Sequence, residues 1–152
     1  PSPDPTSDPA PPPSGHTAAD GAPLRLHVLL GEDNIVNARV ATLMLRKLGC
    51  EVTVADTGAR VLDLMRERGG DFDLVLMDVQ MPEVDGLTAT RTLREREAAA
   101  AAKPIPIVAL TANAMKGDEA RCLEAGMSGY LAKPVTLERL ARELRRVVEA
   151  ST

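Results

Sequence analysis

The chain reads as an α/β domain of three layers, a five-stranded parallel sheet covered by helices on both faces. Three observations predict it. Short apolar runs alternate with stretches whose apolar residues return every three or four positions, so a strand-like pattern repeatedly gives way to a helical one. The runs, such as Leu74-Val75-Leu76-Met77 and Ile105-Pro106-Ile107-Val108-Ala109-Leu110, are almost continuously apolar, which marks strands buried on both faces. The runs also end on polar residues: Glu32-Asp33 after the first, Asp78 after the third, Thr111 after the fourth and Lys133 after the last. Right-handed crossovers leave few topologies for five such units, and a flavodoxin-like strand order of 2-1-3-4-5 sets the first, third and fourth strands side by side.

Residues 1–23 hold eight of the 12 prolines and, beyond Ala, almost nothing apolar. Such a segment cannot bury enough surface to offset its ordering entropy, so it is expected to be a flexible linker, with the folded domain at 24–150. The chain opens without Met, which fits a fragment of a longer protein. Leu26 to Leu30 forms the first strand, and Asp33 or Asn34 caps a helix with Val36, Val40, Leu43, Met44 and Leu48 on its apolar face, ending at Gly49. Glu51 to Ala55 is the second strand. Thr57 opens a helix carrying Val61, Leu62 and Met65, which Gly69-Gly70 stop. The strand to Asp78 leads to a helix over Val84 to about Ala101, lengthened by the alanine tract Ala98 to Ala102, with Asp85-Gly86 shaping its start. A fourth helix spans Ala112 to Ala125 and closes at Gly126. Gly129 to Ala132 is the last strand, and Thr136 caps a helix with Leu137, Leu140, Leu144, Val147 and Val148.

At 152 residues and 44% hydrophobic, the chain has the size of one domain with a core of its own. Its apolar runs fall far short of the roughly 18 residues that suggest a membrane span, and no signal segment opens it, so a cytoplasmic domain without membrane contact of its own is expected, with room for a membrane anchor elsewhere in a parent chain. A net charge of −4 offers no basic footprint for direct nucleic-acid binding. Cys50 and Cys122 have no metal-type spacing and read as reduced packing residues. His16 and His27 likewise lack any spacing that suggests a phosphodonor or a metal ligand.

In the expected strand order, three carboxylates, a hydroxyl and an ammonium converge at one edge of the sheet, where open α/β sheets bind ligands. Taken singly, each has a plainer role: Glu32-Asp33 as acids at a helix N-terminus, Thr111 as a cap, Lys133 as a solvated strand-end charge, Tyr130 as edge packing.

The wording around these residues is more specific. Leu-Leu-Gly-Glu-Asp-Asn at 29–34, Leu-Val-Leu-Met-Asp-Val-Gln-Met-Pro-Glu-Val-Asp-Gly at 74–86, Ala-Leu-Thr-Ala-Asn-Ala at 109–114 and Leu-Ala-Lys-Pro at 131–134 resemble, in order, the four signatures of the response-regulator receiver domain. The variant is most similar to receivers attached to hybrid sensor histidine kinases. The resemblance implies that Asp78 is the nucleophile taking a phosphoryl group from a phosphohistidine. It implies that Asp33 and Asp78 ligate Mg2+ or Mn2+ directly, with Glu32 acting through water and Gln80 through its backbone carbonyl. The residues agree with an oxygen-bound divalent cation. Two carboxylates about 5 Å apart repel by roughly 3 kcal/mol at an effective dielectric near 20, a cost the cation removes.

Lys133 and Thr111 would hold the phosphoryl oxygens, and Thr111 and Tyr130 would switch on phosphorylation. The Lys133-Pro134 bond would be cis. A histidine kinase or histidine-phosphotransfer domain would dock at Ile35, Asn37 and Pro134, and the domain would catalyse its own aspartyl phosphorylation and dephosphorylation rather than act as a turnover enzyme. Two alternatives within the resemblance are a stand-alone single-domain regulator and a receiver-like interaction module that works without phosphate. A metal-dependent aspartyl phosphatase would want a second Asp two residues past the nucleophile, where this chain has Gln80. Gly31 stands where a small apolar residue such as Val is usual, and is expected to loosen the backbone before the acidic pair.

Overall fold

The computed structural model describes residues 23–81, 84–112 and 116–151. All of the expected linker except Pro23 lies outside them, as do Pro82, Glu83 and positions 113–115. Strands β1 (His27–Gly31), β2 (Glu51–Ala55), β3 (Leu74–Asp78), β4 (Ile107–Thr111) and β5 (Gly129–Ala132) alternate with helices α1 (Ile35–Lys47), α2 (Gly58–Arg68), α3 (Gly86–Ala100), α4 (Lys116–Ala125) and α5 (Leu137–Ser151). The strands are all parallel and lie in the order β2-β1-β3-β4-β5, as the runs predict.

Successive strand residues point to opposite faces, so the continuous apolar runs divide between two cores. Val28 and Leu30, Leu74 and Leu76, and Val108 and Leu110 pack with Leu45 of α1 and Leu140, Leu144 and Val147 of α5. Leu29, Val75, Met77, Ile107 and Ala109 pack with Val61 and Leu64 of α2, Leu93 of α3 and Cys122 of α4.

The helix starts follow their caps. Asn34 accepts from the Asn37 N–H at 2.9 Å, Thr57 from the Arg60 N–H at 3.0 Å, Asp85 from the Thr88 N–H at 2.7 Å and Thr136 from the Arg139 N–H at 3.2 Å. The third helix therefore begins at Gly86 rather than Val84, because Asp85 caps it from an extended backbone. It stops at Ala100, since Ala101 takes a left-handed conformation (φ 52°). Ile105 and Pro106 precede β4 rather than belonging to it.

The largest departure from expectation is on α1. Of the five residues read as its apolar face, Met44 and Leu48 pack against the core, but Val36, Val40 and Leu43 are 68%, 47% and 56% exposed, and Ala38 and Leu45 are the buried residues of the helix. Small residues at 38 and 41 face the sheet, leaving the branched side chains on the outer side. With Ile35 at 75% exposure they form an apolar strip on the surface.

Among the described residues, no helix is long and apolar enough to cross a membrane. Cys50 and Cys122 are free thiols, both buried, in keeping with a packing role.

Candidate functional site

Register decides which strand ends share a level. Gly31 of β1 pairs with Met77 of β3, so Glu32 stands beside Asp78, and Asp78 pairs with Leu110, so Thr111 lies one residue further along β4. Thr111 pairs with Ala132, and the Lys133 N–H donates to the Thr111 carbonyl at 2.8 Å. Five residues from four distant stretches of the chain thus meet at the C-terminal edge of the sheet. Carboxylate oxygens of Glu32, Asp33 and Asp78 lie within 4.8 Å of one another.

Asp78 is held at both oxygens. Its Oδ1 accepts from the Gln80 N–H at 2.9 Å, and its Oδ2 from the Lys133 ammonium at 2.7 Å. The same ammonium donates to Glu32 Oε1 at 3.2 Å, while Glu32 Oε2 accepts from the Asn34 N–H at 3.1 Å. Asn34 therefore caps α1 and also orients an acid of the site, a second role hidden in its reading as a cap. The Lys133-Pro134 bond is cis, as the resemblance implies. Asp78, Glu32 and Thr111 are buried, Lys133 is half-buried, and Asp33 is exposed at the rim.

Burial lifts the Glu32 carboxyl above its ordinary value of 4.5. The Asp78 charge adds to the rise, and the Asn34 N–H and the Lys133 ammonium offset it only in part. Burial pulls Lys133 down, but the hydrogen bond and charge of Asp78, joined by Glu32, outweigh it and leave the ammonium above its ordinary 10.5. A carboxyl with a raised folded value adds stability below its unfolded value and loses it as the pH climbs through the folded one. Without a bound cation, the domain is expected to lose stability as the pH rises out of the carboxylate range, and Glu32→Gln to flatten that loss. Chemical denaturation across pH checks this, and superimposable profiles for the two proteins would contradict it.

Two glycines close the site tightly. A Cβ on Gly86 would sit 2.5 Å from the Asp78 carbonyl oxygen, so only glycine lets α3 start directly against the strand end. Gly31 does not loosen β1 as expected. It pairs on both sides, and the room a side chain would need is filled by Val61, Met77 and Met81, whose nearest carbons would lie 3.0, 3.2 and 3.4 Å from an added Cβ. Tyr130 lies half-buried on β5 against the core next to α4, and Ile35, Asn37 and Pro134 are exposed around the mouth of the site. Between α1 and α5 a cleft of about 360 Å³ runs inward from Glu32, Asn37, Lys133 and Pro134 to an apolar floor at Leu76 and Leu110.

The response regulator receiver domain family matches residues 28–145. The chain belongs to that family. Hybrid signal transduction histidine kinase M of Dictyostelium discoideum is 38% identical over 121 residues, which is 80% of this chain and 5% of that protein. The chain thus spans a small part of the curated relative it matches. Among solved structures, the receiver domain of the sensor histidine kinase PA1611 from Pseudomonas aeruginosa, with a magnesium ion coordinated in its active-site cleft, is 42% identical with a TM-score of 0.72. That match covers 82% of this chain and 98% of that one. The receiver domain of Saccharomyces cerevisiae Ssk1, co-crystallised with the histidine phosphotransfer protein Ypd1, is 31% identical with a TM-score of 0.72, over 78% of this chain and 86% of the matched one. In this receiver domain the acidic cluster is all oxygen, with two buried acids and one at the rim, a donor set that suits a hard divalent cation.

Proposed function

We propose that this receiver domain accepts a phosphoryl group from a phosphohistidine onto Asp78 and relays the change through its fold. The observation that carries the reading is the Lys133 ammonium, which reaches Asp78 and Glu32 across 55 and 101 residues of chain. A cation placed on a buried acid, at a strand end next to a buried hydroxyl, suits the transfer of an anion better than it suits packing. Glu32, Asp33, Asp78 and the Gln80 carbonyl would hold Mg2+ or Mn2+, whose contribution when bound is to neutralise phosphoryl oxygens and relieve the repulsion among the carboxylates.

The chain's own residues do the rest. A carboxylate oxygen of Asp78 attacks phosphorus as the phosphorus–nitrogen bond breaks, its electron pair returns to the imidazole, and an acyl phosphate forms. Lys133 moves from pairing a carboxylate to pairing a phosphoryl oxygen, and the Thr111 hydroxyl donates to another, so that charge spread over the transferring group meets fixed donors. The new charge draws Thr111 inward and Tyr130 follows, which remodels the surface around α4 and β5. All five groups are present, which speaks against a module that signals without phosphate.

The donor is a histidine kinase or a histidine-phosphotransfer domain, and the chain is a piece of a hybrid kinase working in the cytoplasm. Supporting this are the hybrid-kinase relative matched over a receiver-sized stretch and the apolar strip at Ile35, Val36, Val40 and Leu43 beside the site. Docking would use Ile35, Asn37 and Pro134. Given acetyl phosphate and Mg2+, Ile35→Asp is expected to take up phosphate as fast as wild type, whereas a phosphohistidine protein that phosphorylates wild type should act on the variant at least about tenfold more slowly, the loss of a buried apolar anchor. Equal rates from the protein donor would remove Ile35 from the docking face.

A further inference from the structure

We infer that Gly58 is a positioning residue for the acidic site, and that it acts by letting the corner between β2 and α2 pack directly against the backbone of the loop after Asp78. The inference rests on reading Glu32, Asp33 and Asp78 as cation ligands. The corner touches both halves of that site. The Ala55 carbonyl at the end of β2 accepts from the Glu32 N–H at 2.9 Å, and three residues later Gly58, buried at the start of α2, abuts Val84.

A Cβ on Gly58 would overlap the Val84 carbonyl oxygen and lie 2.9 Å from its carbon. The obstacle is backbone, which cannot rotate away as a flexible side chain can. Gly58 has no left-handed φ to explain the choice of glycine, and Ala is the better helix former, so the missing side chain marks the close approach.

On its Gly86 side, Val84 has little slack to absorb a push. The Val79 N–H donates to the Leu110 carbonyl at 3.0 Å, the Gly86 N–H donates to the Val79 carbonyl at 2.9 Å, and Gly86 itself is pressed against Asp78. Between these fixed points lies Gln80, whose N–H orients Asp78. A displaced Val84 therefore shifts Gly86 two residues on and, through it, Val79 and Asp78 relative to Glu32, which the corner holds on its other side. Groups that orient ligands rather than bind commonly change metal affinity by about 10–100-fold when altered.

The test is a Mg2+ titration followed by backbone amide NMR on wild type, Gly58→Ala and a control, Gly70→Ala, whose added methyl meets no atom within 4 Å. Gly58→Ala is expected to weaken Mg2+ binding about tenfold or more, with metal-free shift changes concentrated at 79–86, while Gly70→Ala binds as wild type. Unchanged affinity in Gly58→Ala, or the same loss in Gly70→Ala, overturns the inference. Should Gly58→Ala fail to fold, the wild-type titration decides: the Gly58 and Ala59 amides are expected to shift with the same midpoint as Val79 and Gln80, and amides that stay silent there overturn it. Wild type that shows no saturable Mg2+ binding overturns the reading of the acids as ligands, and this inference with it.

Discussion

Lys133→Met is expected to lower the stability of the domain by about 2–3 kcal/mol in the absence of divalent cation, an unusually large effect for a residue with a quarter of its side chain in solvent. The ammonium is the counter-charge given to the Glu32 and Asp78 side chains, which are 1% and 8% exposed. Met keeps the length and most of the packing of the lysine stem but leaves two buried acids facing each other. Breaking a fully buried pair costs about 3–5 kcal/mol, and the partial exposure of Lys133 lowers that figure. Two conditions should restore the variant: Mg2+, which supplies the missing positive charge, and a pH low enough to protonate one of the acids. Denaturant unfolding with and without Mg2+ reads both. A loss that neither condition repairs would mean that Lys133 stabilises by packing. Phosphoryl uptake by the variant should stay low even with Mg2+, because the lysine is also the donor meant for a phosphoryl oxygen.

Asp33→Ala separates binding from folding in the opposite sense. Asp33 is exposed and, among the described residues, is held by no hydrogen bond or ion pair, so without cation the variant is expected to unfold within about 0.5 kcal/mol of wild type. Relief of repulsion toward Glu32 and Asp78 would bias the difference toward greater stability. In wild type, free Mg2+ at about 100 times its dissociation constant should add about 2.7 kcal/mol to the unfolding free energy. At that same concentration Asp33→Ala should gain little of it. A full Mg2+ response in the variant would place the cation elsewhere.

Much of this is legible in the amino-acid sequence. Runs buried on both sides are apolar at every position, so β1, β3 and β4 stand out, and the first polar residue after each run marks the edge where chemistry can sit. Asp78 is readable for that reason and Lys133 as the charge that ends the last, half-buried strand, and their hydrogen bond makes them partners. What was not legible depends on which face of a helix meets the sheet. In α1 a branched strip and a small-residue strip run side by side, and periodicity favours the bulkier one. The helix instead approaches closely through Ala38 and turns Val36, Val40 and Leu43 outward. The glycines posed a similar difficulty. Gly58 and Gly86 look alike in sequence, yet each is required by a different stretch of backbone, and only distances reveal it. The sequence marks Asn34 as a cap, but its hold on Glu32 comes from its backbone N–H and depends on the Glu32 side chain reaching forward to it.

The central claim is that these residues form one phosphoryl-accepting site with Asp78 as the acceptor. Intact mass and peptide mapping after incubation with acetyl phosphate and Mg2+ test it most directly. Wild type is expected to gain a single phosphoryl group, carried on the peptide containing Asp78, and to lose it when the cation is withheld from the reaction. Asp78→Asn should remain unmodified under the same conditions while keeping its fold. Wild type that stays unmodified, or Asp78→Asn that is labelled as readily as wild type, would contradict the claim.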